Sequence, residues 1–314
     1  MFVLQCKIYI GKYVFEHVNK VVIDSSRSSL ADKATVTLPQ KYSGEYLAAV
    51  VSPGDEVEIW LGYKPELKLE FKGYVTNVQP NTPVEISCED EMYNLKRQKP
   101  VAKAWKSTTL KEVLGYLVPG ARLEVPGINL TNFKVDGKGS VAYALQKIKE
   151  TYGLDLYFRN GKLFAGLAYT DSETINERVK YNLEKNVINP QLNFRKLGDV
   201  KLRVKAISIL PNNTKLEAEV GDLDGALKTI HFYNLATTAE LQQQAEQTLK
   251  YMQFDGFEGS IQTFGIPFST HGQVAEIEDP RFETRKGNYL IDRVVVSFGT
   301  EGFRRQNYIG RRAS

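Results

Sequence analysis

The chain has 314 residues, 41 Lys and Arg against 37 Asp and Glu, a formal net charge of +4 and an apolar fraction of 42%. That length supports two or three domains, and that composition excludes a disordered or fibrous chain. The charge is too small and too evenly mixed for a nucleic-acid-binding surface, apart from one C-terminal run treated below.

Residues 1–98 read as short strands, in keeping with the abundance of Tyr (17) and Phe (15) over Met (3). Ala34, Val36 and Leu38 alternate with Lys33, Thr35 and Thr37, and Val57, Ile59 and Leu61 with Glu56, Glu58 and Trp60. Val84, Ile86 and Cys88 do the same with Glu85, Ser87 and Glu89. A period of two gives each strand one buried and one wet face. Breakers at Ser52-Pro53-Gly54-Asp55, Lys64-Pro65 and Pro80-Asn81-Thr82-Pro83 space these runs as in a sandwich or small barrel.

Near residue 105 the period changes. Thr108 or Thr109 caps a predicted helix with Leu110, Val113, Leu114 and Leu117 on one face, ended by Pro119-Gly120. A second helix starts at Ser140, carries Val141, Leu145, Ile148 and Tyr152 as its stripe, and stops at Gly153. Two apolar runs joined by Arg159-Asn160-Gly161 then signal a hairpin. Residues 99–170 thus form a small α+β unit, and 171–189 read as a linker or extended segment.

From 190 to 314 strands return. Leu202, Val204 and Ala206 alternate with Lys201, Arg203 and Lys205, and a turn at Pro211-Asn212-Asn213 leads to Leu216, Ala218 and Val220 alternating with Glu217 and Glu219. Those charges line a lumen, pair across the hairpin or face solvent, three readings the sequence leaves open. Thr237 and Glu240 form a capping box for one helix at about 238–253. The predicted fold class is therefore β-rich and multidomain, with two barrel-like antiparallel β domains flanking a small α+β domain.

Catalytic and metal-binding patterns are missing. His17, His231 and His271 have no metal-ligand spacing, and Cys6 and Cys88 form no C-x-x-C pair, so no metal or cofactor is expected. His231 reads as a half-buried strand histidine. His271 follows Ser269-Thr270, but without a G-x-S-x-G elbow a nucleophilic serine is not expected there. The acidic clusters Glu89-Asp90-Glu91 and Glu276-Ile277-Glu278-Asp279 read as solvated loop faces rather than a glycosidase pair. Lys138-Gly139-Ser140 is a turn into an N-cap, not a phosphate loop.

Reduced thiols in a cytoplasmic interior are a simpler reading of Cys6 and Cys88 than a disulfide. No secretory signal is read at the N-terminus, and no run approaches the roughly 18 apolar residues of a membrane span. The C-terminal run from Phe303 to Arg312 carries four Arg and no acid. It reads as a polar strand docking onto a partner or a neighbouring subunit, with Arg304, Arg305, Tyr308, Arg311 and Arg312 as candidate contacts.

Three segments together resemble the phage late control protein D family, which includes contractile-tail hub proteins and is similar to the N-terminal part of type VI secretion spike proteins. The first is Val22-Ile23-Asp24-Ser25 with Ala34-Thr35-Val36-Thr37-Leu38-Pro39. The second is Gly54-Asp55-Glu56-Val57-Glu58-Ile59-Trp60-Leu61-Gly62-Tyr63, continued by Phe71-Lys72-Gly73-Tyr74-Val75-Thr76 and Ile86-Ser87-Cys88-Glu89-Asp90. The third is Lys286-Gly287-Asn288-Tyr289-Leu290-Ile291-Asp292-Arg293-Val294 running into Phe298-Gly299-Thr300-Glu301-Gly302-Phe303.

The resemblance implies a non-enzymatic structural hub: a homotrimer whose paired β domains make a pseudo-sixfold ring joining a tail tube to a central spike, with other baseplate proteins around it. It further implies assembly in the bacterial cytoplasm, residence in the virion tail, and nucleic acid at most as cargo in the lumen. Because the chain stops soon after its last predicted strand, spike and wall-degrading segments are expected on other polypeptides. A tail-associated peptidoglycan-degrading enzyme and a carbohydrate- or receptor-binding tail protein are the alternatives.

Overall fold

Alternating burial sets the first strands. The computed structural model describes residues 3–125, 127–159, 161–167, 178–199, 201–210, 214–233, 235–253, 255–283 and 286–313. The first segment holds β1 (Leu4–Ile10), β2 (Tyr13–Phe15), β3 (Lys20–Ser26), β4 (Lys33–Leu38), β5 (Lys41–Tyr42), β6 (Glu45–Tyr46), β7 (Glu56–Tyr63), β8 (Glu66–Gln79) and β9 (Val84–Glu89). Two short helices, α1 (Leu47–Val50) and α2 (Met92–Arg97), accompany them. The reading of 1–98 as strands missed both: each is under two turns, too short for a 3.6-residue period to register. Cys6 and Cys88 are free and buried, on β1 and β9.

The middle segment comprises β10 (Lys103–Thr109), α3 (Leu110–Leu117), β11 (Arg122–Glu124), β12 (Asn129–Val135), α4 (Val141–Tyr152), β13 (Leu154–Arg159) and β14 (Lys162–Leu167). Both expected helices form with the expected caps. Thr109 accepts from the Glu112 N–H and the Glu112 carboxylate accepts from the Thr109 N–H, each at 3.2 Å. Ser140 caps α4, and Gly153 ends it in the left-handed region at φ 58°. Strand β14 pairs antiparallel with β13 on one side and parallel with β11 on the other, leaving β13 at an edge.

Beyond it lie β15 (Arg178–Asn182), β16 (Asn189–Arg195), β17 (Leu202–Ile209), β18 (Lys215–Gly221), β19 (Ala226–Tyr233), α5 (Thr238–Met252), β20 (Gly256–Phe264), β21 (Val274–Glu278), β22 (Gly287–Gly299) and β23 (Gly302–Arg312). Helix α5 begins with the expected capping box of Thr237 and Glu240. Part of the stretch read as linker is strand β15, paired parallel with β21. Residues 168–177, Asn160 and the Pro211–Asn213 turn lie outside the described residues.

Three buried clusters organise the molecule. One sheet, 13-stranded among the described residues, runs β16-β20-β23-β22-β3-β4-β9-β8-β7-β1-β2, with β21 and β15 branching from β22. Its seam is β22 against β3, from Arg293 opposite Ser26 to Gly299 opposite Lys20. Both ends of the chain therefore share one sheet and one core, with Ile8, Val36, Ile59 and Ile86 beside Ile261, Ile291 and Phe303. Two barrel-like antiparallel β domains were expected; the described strands of the two end stretches pair across this seam and share one core.

The second cluster is the α+β unit, and α2 belongs to it through Met92 and Leu95. The third joins α5 to the small sheet β18-β17-β19 through Val204, Ala206, Leu241 and Ala245. Here the chain departs from an all-antiparallel barrel, since β17 and β19 are parallel. The charged faces of β17 and β18 pair across the hairpin: Lys205 to Glu217 at 2.7 Å and Arg203 to Glu219 at 3.9 Å. No helix among the described residues is long and apolar enough to cross a membrane.

Burial pushes the Cys6 thiol up to about 11 and the Cys88 thiol up to about 12. Neither is expected to react with a thiol reagent in the native protein at neutral pH, because the thiolate is the nucleophile. Labelling with and without denaturant checks this, and full labelling without denaturant would contradict it.

Candidate functional site

Strand β23 carries the residues singled out by sequence. It is not a free docking strand: it pairs with β20 on one side and β22 on the other, so its backbone is already used within the chain. Its side chains alternate, with Phe303, Arg305, Asn307 and Ile309 inward. The outward set includes half-buried Arg304 and Tyr308 and exposed Arg312; Arg311 is half-buried near the strand end. Arg304 stacks over Phe264 at 4.9 Å, and Arg293, paired with Asp24, covers the Tyr308 ring at 5.0 Å. Arg312 donates to the Asp255 carbonyl at 3.4 Å.

Arg305 is therefore not a partner contact. It is 1% exposed and reaches Glu70 of β8 at 2.5 Å, while also donating to the Ser269 carbonyl at 2.9 Å and the Gly265 carbonyl at 3.3 Å. The sheet curls until the inward face of β23 meets β7 and β8, as the Tyr63–Phe303 ring contact at 5.6 Å also shows. Burial pushes the Glu70 carboxyl up, and the Arg305 guanidinium pulls it part of the way back.

Beside this pair opens a cleft of about 840 Å³, lined by Ile23, Leu69, Asp90, Arg159, Phe268 and His271 among others. It lies where the curled sheet, the α+β unit and the 265–273 loop meet. Asp90, expected on a solvated face, is 5% exposed, and its two oxygens accept from the Met92 and Asp32 N–H groups at 3.0 Å each. It fixes the start of α2 and the β3–β4 turn. Burial first, and the neighbouring Asp32 second, push its carboxyl up to about 8.

The second acidic cluster is likewise not a loop face: Glu276 and Glu278 sit in β21, and Asp279 is 1% exposed, accepting from the Arg281 N–H at 3.1 Å.

His271 is 2% exposed, with Nε2 3.7 Å from Asp32 Oδ2, its ring edge-on to Tyr157 at 4.6 Å, and Arg159 donating to its carbonyl. Burial lowers its basicity. The Ser269 hydroxyl donates to Asn307 Oδ1 at 2.6 Å, a structural use. His231 is half-buried on β19, as read. Among the described residues no group of three or more His, Cys, Asp or Glu is placed to hold a metal. Sequence reasoning missed Asp32 and Arg159, which carry no local motif and meet only through chain crossing.

By sequence, no family model and no curated protein matches the chain. By structure it has the fold of phage tail proteins and of type VI secretion components. The tail protein from Neisseria meningitidis MC58 matches over 100% of this chain and 97% of its own, with TM-score 0.67 and 14% identity. The 43 kDa tail protein of prophage MuSo2 from Shewanella oneidensis matches over 98% of each, with TM-score 0.62 and 14% identity. The E. coli c3393 protein, a type VI secretion component described as similar to T4 tail proteins gp27 and gp5, matches over 98% of this chain and 77% of its own, with TM-score 0.63 and 10% identity.

Two outcomes follow for stability. Glu70→Ala leaves Arg305 buried without its counter-charge and is expected to cost about 3–5 kcal/mol, read as a lower urea midpoint. The proton on Asp90 is held more tightly in the folded than in the unfolded chain, whose ordinary value is 3.8. Its stabilising contribution is full below that value and lost as pH rises toward 8. The urea midpoint should therefore carry a falling component between about pH 4 and 8 that levels off above it, flattened in Asp90→Asn.

Proposed function

We propose that this chain is a structural hub of a contractile-tail baseplate or related injection machine, forming a trimeric pseudo-sixfold ring that joins a tail tube to a central spike. The observation that carries the reading is full-length likeness: both tail-protein matches cover at least 98% of this chain and at least 97% of their own. The whole architecture is shared, rather than one common β unit.

The residue-level evidence supports a non-enzyme. Asp90, Glu70, Ser269 and Asp279, the polar groups that might have suggested chemistry, are committed to backbone N–H groups, Arg305, Asn307 and Arg281. The ring reading rests on symmetry matching: three copies, each offering two quasi-equivalent β surfaces, satisfy a sixfold tube on one face and a threefold spike on the other. The family resemblance of the sequence to late control protein D supports the same placement in the virion tail. Arg304, Tyr308, Arg311 and Arg312 remain the docking candidates on β23.

Light scattering on the purified protein tests the reading. The expected mass is three times 35.5 kDa for the protein alone, or a complex containing three copies when a spike or tube protein is added. A monomer under both conditions would reject the ring. Arg312→Glu, at an exposed position, is expected to weaken assembly by about tenfold while leaving the unfolding free energy within about 0.5 kcal/mol of the parent.

A further inference from the structure

The contact between the α+β unit and the curled sheet is built in two parts. At one side Leu30, Ala31 and α2 pack into the unit's own apolar cluster. At the other, beside the cleft, the contacts are polar. Arg27 pairs with Asp155 of β13 at 2.6 Å, Lys149 of α4 donates to the Ser28 carbonyl at 2.5 Å, and Arg159 of β13 donates to the His271 carbonyl.

We propose that this polar side is a proton-operated latch: His271 holds the edge strand β13 against the sheet while its ring is neutral, and releases it, opening the cleft, when the ring takes up a proton.

Arg159 Nη2 lies 3.5 Å from His271 Nδ1, and a guanidinium only donates, so this long contact is a hydrogen bond in the tautomer whose Nδ1 is bare. The ring proton then sits on Nε2, facing Asp32 Oδ2 at 3.7 Å. A second proton goes to Nδ1, where it removes the Arg159–Nδ1 contact and sets two cations against each other in a buried site, straining the bond Arg159 donates to the His271 carbonyl.

The ring shares the cleft with Glu70, Lys72, Glu91 and Lys162, and the charges that act on it most come from both sides of the contact. On the sheet side Asp32 favours the imidazolium, while Arg27, from the same turn, opposes it and is itself neutralised by Asp155 and, at 3.7 Å, by Asp292. Asp90, behind Asp32, is held protonated near neutral pH and adds little charge. From the α+β unit, Arg159 opposes protonation and Tyr157 presents a neutral ring. Burial is the largest influence and also opposes it, so the docked imidazole is less basic than the ordinary 6.5 of a solvated one. The docked form is therefore fully favoured above that pH and loses ground as pH falls below it. Leu30, Ala31 and α2 act as the hinge.

Hydrogen exchange on the full chain, with intrinsic pH effects divided out, tests the latch. Between about pH 7.5 and 5.5, exchange in 154–159 and 162–167 should speed by about tenfold relative to β7 and β9, the factor carried by one pH unit of protonation. His271→Gln keeps a donor and an acceptor without the charge and should remove the acid response. Equal exchange at both pH values, or an undiminished response in His271→Gln, would overturn the proposal. Should that variant misfold, the His271 ring titration in the parent protein decides by nuclear magnetic resonance. A midpoint below 6.5 that coincides with opening supports the latch, and a midpoint at or above it rejects it.

Discussion

The buried pair of Arg305 and Glu70 is the constraint on which the rest of the structure depends. A guanidinium removed from water is tolerated only with a counter-charge and saturated donors, and here one carboxylate and two carbonyls supply them. Those partners come from β8 and from the 265–273 loop, so satisfying one side chain brings strand β23, the β7–β8 hairpin and the loop behind the cleft together. A hydrophobic pair of the same volume would fill the space without dictating which strands meet. The polar pair adds direction to burial.

Around that point the molecule separates apolar mass from polar joints. The shared core of the large sheet, the core of the α+β unit and the core under α5 are distinct clusters. Between the first two, the cleft side is held by ion pairs and backbone contacts. Such an arrangement permits each body to stay rigid while their contact responds to conditions.

Much of this was legible in the sequence. The period-two runs of the first segment and the three capped helices at Thr109, Ser140 and Thr237 lie where local rules place them. What escaped were non-local features: the β3–β22 seam joins residues some 270 positions apart, and the parallel pairing of β17 with β19 leaves no trace in alternation. Arg305 is instructive because its burial was readable. It shares parity with Phe303 and Ile309, so the strand period assigns it inward, but its charge argued for the surface and prevailed in the reading. For Asp32, Asp90 and His271 no such signal exists, since three separate crossings bring them together.

The seam has a consequence for how the protein is made. Strand β3 is synthesised some 270 residues before its partner β22. Strand β3 therefore waits, with one edge unpaired, until β22 has been made. A chain cut before β22 cannot complete the shared core, so the large sheet closes only after some 270 further residues have been made.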